Sequence, residues 1–201
     1  MKRLFDIICA AIGGILLAPL FIFISLWIKI DSSGPIFFRQ TRVGLGGKLF
    51  SIHKFRTMRV DSEKFGRLTI GTDSRITRAG KFLRRYKLDE LPQLIDVLQG
   101  NMSLVGPRPE VPEYIECYPQ EIRTQVLSVR PGITDNASLE MMDENELLAR
   151  YEDPRVAYIE IILPLKQRYY LEYVKKHSLW NDFIIIIKTI LKIINPVLRK
   201  S

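Results

Sequence analysis

The sequence predicts a helix-rich α/β protein in which a re-entrant membrane helix, broken at a proline, carries a compact cytoplasmic domain. Three observations predict it. An uncharged apolar run opens the chain, two short strand-like segments joined by glycines follow, and most later apolar residues recur at helical spacing. With 201 residues, 47% of them hydrophobic, the chain is long enough for one well-packed domain plus accessory segments, and a disordered chain is excluded.

The first element is the membrane signal. From Ile7 to Ile28, 22 residues carry no charge. At about 1.5 Å per residue such a helix can cross the hydrocarbon of a bilayer. A cleaved signal peptide fits poorly, because the run is too long and no small-x-small pattern follows it. Pro19 lies near the middle, lacks an N–H and frees the carbonyl of Ile15, with Gly13 and Gly14 just before it. Lys2 and Arg3 precede the run, while Lys29, Arg39 and Arg42 follow it. Positive residues mark the cytoplasmic side, and here they flank both ends. Residues 1–31 are therefore read as a re-entrant helix kinked at Pro19. A plain single-pass helix that tolerates the proline is the alternative.

Residues 32–180 read as the cytoplasmic domain. Asp31-Ser32-Ser33-Gly34-Pro35 is a turn cluster. Ile36-Phe37-Phe38 and Leu49 to Phe55 read as two strands of a hairpin, with Val43-Gly44-Leu45-Gly46-Gly47 between them as turn chemistry. Glu63 to Thr77 is a polar loop, and Arg78 to Tyr86 a short basic helix. Leu91, Leu94, Ile95 and Leu98 recur at i, i+3, i+4 and i+7, which predicts an amphipathic helix closed by Gly100. Pro92 falls in its first turn, so Asp89 and Glu90 sit at or just before its positive end. Further helices are expected around Glu144 to Tyr151 and over Ile159 to Val174. Asp182 can cap a last helix running to about Ile194. Residues 181–201 thus form an amphipathic helix, interfacial or packed on the domain.

Charge is distributed unevenly. The formal charge is +8, yet Phe37 to Lys87 alone hold 14 Lys or Arg against Asp61, Glu63 and Asp73. That block calls for an anionic partner: phosphate, lipid headgroup or nucleic acid. Cys9 and Cys117 are far apart, so neither a disulfide framework nor a Cys-based zinc site is suggested. His53 and His177 are isolated and read as structural.

Three segments carry the chemistry. Lys54-Phe55-Arg56-Thr57-Met58 ends a strand with two cations and a hydroxyl. Leu88-Asp89-Glu90-Leu91-Pro92-Gln93 places adjacent carboxylates at a helix start. Ser103-Leu104-Val105-Gly106-Pro107-Arg108-Pro109 holds one arginine between prolines, which limits the freedom it loses on binding. Arginine matches phosphate oxygens in a two-pronged way. A carboxylate can bind Mg²⁺ beside substrate phosphates, or attack phosphorus and form an acyl phosphate. Taken singly, the acidic pair is a favourable helix-dipole interaction and the proline loop a rigid turn.

In this order, the membrane hairpin and the three segments resemble the bacterial sugar transferases known as small monotopic phosphoglycosyl transferases. The likeness runs from Lys2 to about Thr134 and takes in Arg42-Val43-Gly44 and Arg130-Pro131-Gly132-Ile133-Thr134. The resemblance implies a helix that dips into one leaflet of the bacterial inner membrane from its cytoplasmic face, broken at Pro19. It implies a catalytic dyad of Asp89 and Glu90, in which Asp89 attacks the sugar-linked phosphate of a UDP-sugar, releases UMP and carries the phosphosugar. A polyprenyl phosphate, commonly undecaprenyl phosphate, then accepts it, as the first membrane step in building a glycoconjugate. It further implies Mg²⁺ with Asp89 as a ligand, phosphate binding by Arg108, and matching basic positions at Lys54 and Arg56. Membrane phospholipid is an expected partner, nucleic acid is not, and a homodimer is compatible with the sequence.

The chain departs from the family pattern at two places. The kink reads Ala18-Pro19 where the family often has Ser-Pro, and Asp135-Asn136-Ala137-Ser138-Leu139 replaces the usual stretch after Thr134. No family residue is carried beyond Thr134. Two rival readings are a membrane-tethered nucleic-acid binder and a catalytically silent scaffold. The first lacks a recognition-helix pattern and would set Asp89 and Glu90 against a phosphate backbone. Intact Asp89, Glu90 and Arg108 speak against the second.

Overall fold

A computed structural model of the chain describes residues 1–60, 73–141 and 144–195. The polar loop expected from Glu63 lies, as far as residue 72, outside the described residues, as do residues 196–201 of the expected last helix. The fold is mixed α/β and rich in helix, with two small two-stranded sheets among the described residues.

The apolar run forms one helix, α1 (Lys2–Asp31), with Pro19 inside it. A break is expected at Pro19, whereas the helix continues through that residue. A proline deletes a single N–H and leaves the neighbouring turns intact, so helix on both sides holds the segment together. Large apolar side chains along α1 face outward, among them Ile12, Ile15, Leu16, Ile22, Phe23 and Leu26.

Both ends of α1 are tied to the same domain. Near its start, Ala10 is fully buried against Ile52, Val97 and Met102. Asp6 accepts hydrogen bonds from Ser103 Oγ (2.9 Å) and the Leu104 N–H (3.2 Å). Near its end, Ile24 and Ile28 pack on Phe55 and Leu83, and Phe21 meets Phe55 edge to face. Asp31 Oδ2 accepts from the Ala79 N–H at 3.0 Å.

The hairpin forms as expected, with a first strand longer than the sequence suggested. β1 (Phe37–Val43) pairs antiparallel with β2 (Leu49–Phe55), from Phe37 opposite Phe55 to Val43 opposite Leu49. The short basic helix is α2 (Arg78–Arg85), capped by Thr77, whose Oγ1 accepts from the Gly80 N–H. A 3₁₀ turn over Leu88–Glu90 leads into α3 (Gln93–Gln99). Gly100, at φ 88°, closes α3 in the left-handed conformation that favours glycine.

The Ser103–Pro109 loop begins as a strand. β3 (Ser103–Val105) runs parallel to β4 (Gly132–Thr134). The helices α4 (Pro112–Glu116) and α5 (Gln120–Val126) connect the two strands. After β4 come α6 (Asn136–Glu140), α7 (Glu144–Leu148) and α8 (Pro154–Ala157). A π turn over Tyr158–Ile162 then leads into α9 (Leu163–Lys176). The main core lies here, around Tyr114, Tyr158, Ile162, Leu163 and Tyr170.

The last helix, α10 (Leu179–Ile194), is capped by Ser178, whose side chain accepts from the Asn181 N–H, and not by Asp182 as the sequence suggested. Asp182 instead lies fully buried in the first turn, bonded to Lys2 Nζ (2.5 Å) and to the Tyr173 hydroxyl (2.9 Å). These long-range partners orient it away from the cap. Trp180, Phe183, Ile187, Ile190 and Ile194 are exposed along α10.

Candidate active site

Two chain segments converge on Glu90, and a third braces one of them. Lys54 reaches it from the end of β2, with Nζ 2.8 Å from Oε1. Arg108, on the loop after β3, donates from Nη1 to Oε2 at 3.0 Å and from Nη2 to Oε1. Arg42, at the end of β1, donates from Nη1 to the Pro109 carbonyl at 2.9 Å, and the Val43 N–H meets the Glu110 carbonyl at 3.0 Å. The hairpin therefore holds the loop that presents Arg108.

Glycine makes that loop possible. Gly106 N–H donates to the Thr134 carbonyl (3.1 Å), and Gly132 N–H to the Pro107 carbonyl (3.0 Å). A Cβ at Gly132 would lie 2.1 Å from Gly106 N, so only glycine allows the two motif segments to approach this closely. The sequence treated these motifs as separate; the parallel pair brings them together.

Asp89 occupies the 3₁₀ turn beside Glu90. The preceding Lys87 adopts a left-handed backbone, φ 55°, which is unusual for a residue with a side chain and turns the chain sharply into the acidic pair. Asp89 is 9% exposed, and its Oδ1 is buried with no hydrogen-bond partner. Burial, then the neighbouring Glu90, push the Asp89 carboxyl above the ordinary aspartate range, with Lys54, Lys87 and Arg84 pulling the other way. Glu90 behaves oppositely. Burial alone would raise it, but Arg108 and Lys54 hold it well below the usual carboxylate value. Lys54 is pushed down to about 8 by burial, against the pull of Glu90. Arg108 is raised by Glu90. Two adjacent carboxylates thus stand in opposed states: Glu90 locked in an ion pair, Asp89 with an oxygen free to react or bind.

Of the residues read from the sequence, the structure brings Asp89, Glu90, Lys54 and Arg108 together. It does not bring Arg56. That side chain is buried and donates to three carbonyls behind α1: Pro35 from Nε (2.6 Å), Ser33 from Nη1 (2.8 Å) and Ser32 from Nη2 (2.8 Å). Sequence reasoning gave no separate role to Arg42, Arg84 or Lys87. The basic block was the signal, but it does not rank its members.

A divalent cation fits this donor set in a limited way. No group of three His, Cys, Asp or Glu residues is placed to hold a metal among the described residues. Mg²⁺ does not need such a cage, since it keeps several waters and is held by one or two carboxylates together with substrate phosphates. The unpaired, buried Oδ1 of Asp89 supplies a ligand of that kind.

An acidic pair beside two cations thus lies on a domain fastened to an exposed apolar helix. The chain belongs to the bacterial sugar transferase family, which it matches over residues 1–196. It is 38% identical over 196 residues to the UDP-glucose:undecaprenyl-phosphate glucose-1-phosphate transferase of Escherichia coli K12, covering 96% of this chain and 40% of that protein. It is 38% identical over 193 residues to the UDP-N-acetylgalactosamine-undecaprenyl-phosphate N-acetylgalactosaminephosphotransferase of Aeromonas hydrophila, covering 94% and 43%. A glucose-1-phosphate transferase of Caulobacter vibrioides is 38% identical over 193 residues, covering 94% and 68%. The chain therefore spans about two fifths of the length of the first two relatives.

Proposed function

We propose that this chain transfers a sugar-1-phosphate from a UDP-sugar to undecaprenyl phosphate, with Asp89 as nucleophile. The observation that carries the reading is the buried, unpaired Oδ1 of Asp89 beside a Glu90 held by Arg108 and Lys54. The family and the names of the relatives support the donor and acceptor classes.

Asp89 attacks the sugar-linked phosphorus, a new bond forms from its carboxylate oxygen, and the bond to the bridging oxygen breaks. UMP departs with that oxygen. The phosphate oxygen of the polyprenyl acceptor then attacks the same phosphorus and displaces the Asp89 carboxylate, leaving a polyprenyl diphosphosugar. Arg108 and Lys54 stand where they can share their charge between Glu90 and phosphoryl oxygens, and their fixed positions limit reorganisation during transfer. Asp89 would hold Mg²⁺, which when bound would neutralise diphosphate charge. The product is a starting point for capsule, O-antigen, exopolysaccharide or glycoprotein glycan assembly.

The membrane reading follows the same residues. A straight helix of 30 residues is about 45 Å long, enough to cross a bilayer. Yet Asp6 and Asp31, near opposite ends, both bind the one domain. That favours α1 entering and leaving on the cytoplasmic face, with its exposed apolar side chains and the apolar stripe of α10 in contact with membrane phospholipid. On this reading residues 1–31 anchor the catalytic domain of residues 32–180, and α10 lies at the membrane interface while also packing on the domain.

The test is release of UMP from a panel of UDP-sugars with undecaprenyl phosphate and Mg²⁺ in nanodiscs. Release of UMP with one sugar is expected, and Asp89→Asn is expected to abolish it while folding normally. Release of UDP would overturn the reaction type, and near-normal turnover of Asp89→Asn would overturn the nucleophile.

A further inference from the structure

The turn and helix that carry Asp89 place three polar side chains in the interior, and their partners differ. Leu91 and Pro92 have helical backbone angles, so Leu88 to Gln99 wind as one continuous spiral. Asp89 and Gln93, four residues apart, therefore stand one turn from each other on a common face, and Asp96 follows three residues later. All three are buried, at 9%, 1% and 0% exposure. Asp96 is paired through both oxygens: Oδ2 accepts from the His53 N–H and Oδ1 bonds to His53 Nδ1, each at 2.8 Å. This pair fastens α3 to β2.

Gln93 is the opposite case. Neither its Oε1 nor its Nε2 has a hydrogen-bond partner. Other buried side chains with an unpaired polar atom, at Arg42, Asp89, Tyr118 and Tyr170, leave one atom each, so Gln93 alone among the described residues leaves two. A buried amide with no partner is destabilising, and an apolar side chain of the same shape would remove that penalty. The fold itself gives no use for the carboxamide, whereas its place one turn from the unpaired Asp89 Oδ1 does.

We propose that Gln93 is a further ligand-binding residue of the Asp89 site, its carboxamide pairing with the hydrated diphosphate of the donor. Nε2 has hydrogens to donate to a phosphoryl oxygen, and Oε1 can accept from a water held with it. A neutral amide suits this position, because one more cation, added to Lys54, Lys87 and Arg84, would further offset the Asp89 charge and a further carboxylate would repel the donor. The inference rests on the reading of Asp89 as nucleophile.

The test uses the full chain in detergent or nanodiscs, with UDP and Mg²⁺ as the binding probe. Gln93→Met keeps length and shape without polar atoms. Its unfolding temperature without ligand is expected to equal or exceed that of the parent. The rise in unfolding temperature caused by UDP with Mg²⁺ is expected to shrink, and kcat/KM for UMP release to fall about 10- to 100-fold, the loss of a hydrogen bond to a charged group. Gln93→Glu, which keeps an acceptor and the shape but loses the donor, is expected to weaken the UDP response as well. A Gln93→Met protein with parental kcat/KM and parental UDP response overturns the inference, and so does a lower unfolding temperature without ligand in both variants, which would make the amide structural. Asp89→Asn measured alongside separates the two readings. If it still turns over, the proposed function fails; if it is inactive while Gln93→Met behaves like the parent, only the role of Gln93 fails.

Discussion

Arg108 grips Glu90 with two nitrogens, Nη1 lying 3.0 Å from Oε2 while Nη2 meets Oε1, and Lys54 binds the same Oε1 from β2. The pair links the loop after β3 to the turn that carries Asp89, so the position of the nucleophile depends on the arginine. Arg108→Lys keeps the charge but loses the planar fork. UMP release by this variant is expected to fall about a hundredfold. Arg108→Ala is expected to cost about 1–3 kcal/mol of stability besides, because Glu90 keeps Lys54 as its only partner in this cluster. UMP assays and thermal unfolding of both variants check the two effects separately.

The pH profile of turnover is expected to have two limbs with different owners. On the alkaline side Lys54, pushed down to about 8, loses its charge, and kcat/KM falls. Stability moves the other way: the unfolded lysine titrates near about 10.4, so between these values the unfolded chain binds more protons and this residue's contribution to stability rises with pH. Lys54→Arg should move the alkaline limb out of the measurable range, because arginine stays charged. On the acid side Asp89 must lose its proton to react, and its raised value places that limb above the ordinary aspartate range. Its stability term is present at low pH and is lost as pH rises through the folded value. Raising Mg²⁺ should shift the acid limb downward, since metal and proton compete for one carboxylate. Profiles at two Mg²⁺ concentrations, for the parent and Lys54→Arg, test each limb.

Gly132→Ala is expected to disable the site from a distance. The added carbon would meet Gly106 N at 2.1 Å and Gly106 O at 2.5 Å, both backbone atoms that have no rotamer to yield. The strands β3 and β4 must separate, and Arg108 moves with them. A loss of about 2 kcal/mol or more and a collapse of UMP release are expected. Gly14→Ala, with nothing within 4 Å of the new carbon, is the matched control and should leave both unchanged.

Local features of the fold were legible and distant ones were not. β2 ends where the sequence placed it, at Leu49 and Phe55, because a glycine turn fixes one end and apolar residues the other. Gly100 closes α3 for a reason visible in one residue type. The grouping of Asp89, Glu90, Lys54 and Arg108 was legible only through the family resemblance that the three motifs carry together, since each motif alone reads as an ordinary helix start or rigid turn. The parallel pair of Ser103–Val105 with Gly132–Thr134 could not be read, because three-residue strands have no periodicity and their partners lie far apart in the chain. Arg56 looked like a phosphate ligand beside Lys54, since residues two apart share one face of a strand, yet β2 ends at Phe55 and the arginine beyond it turns to carbonyls on the segment leaving α1. Asp182 was the cap expected for α10, but in the fold Lys2 and Tyr173 engage its carboxylate and Ser178 takes the cap position.

The topology of α1 is open to a direct measurement. Its first turn is held by Lys2 to Asp182 and Asp6 to Ser103, and its last by Asp31 to Ala79. A helix that crossed the bilayer would have to release one of these ends into the periplasm and leave buried groups without partners. Asp6 is the more costly end to release, since both its oxygens accept bonds from β3 and it is 2% exposed. Single cysteines placed at Met1 and at Ser33, in a chain carrying Cys9→Ala and Cys117→Ser, should therefore both resist a membrane-impermeant thiol reagent added to intact spheroplasts. Both should react once the membrane is opened. Labelling of one end from outside would mean a spanning helix, and the contacts of that end would then belong to a different state of the protein.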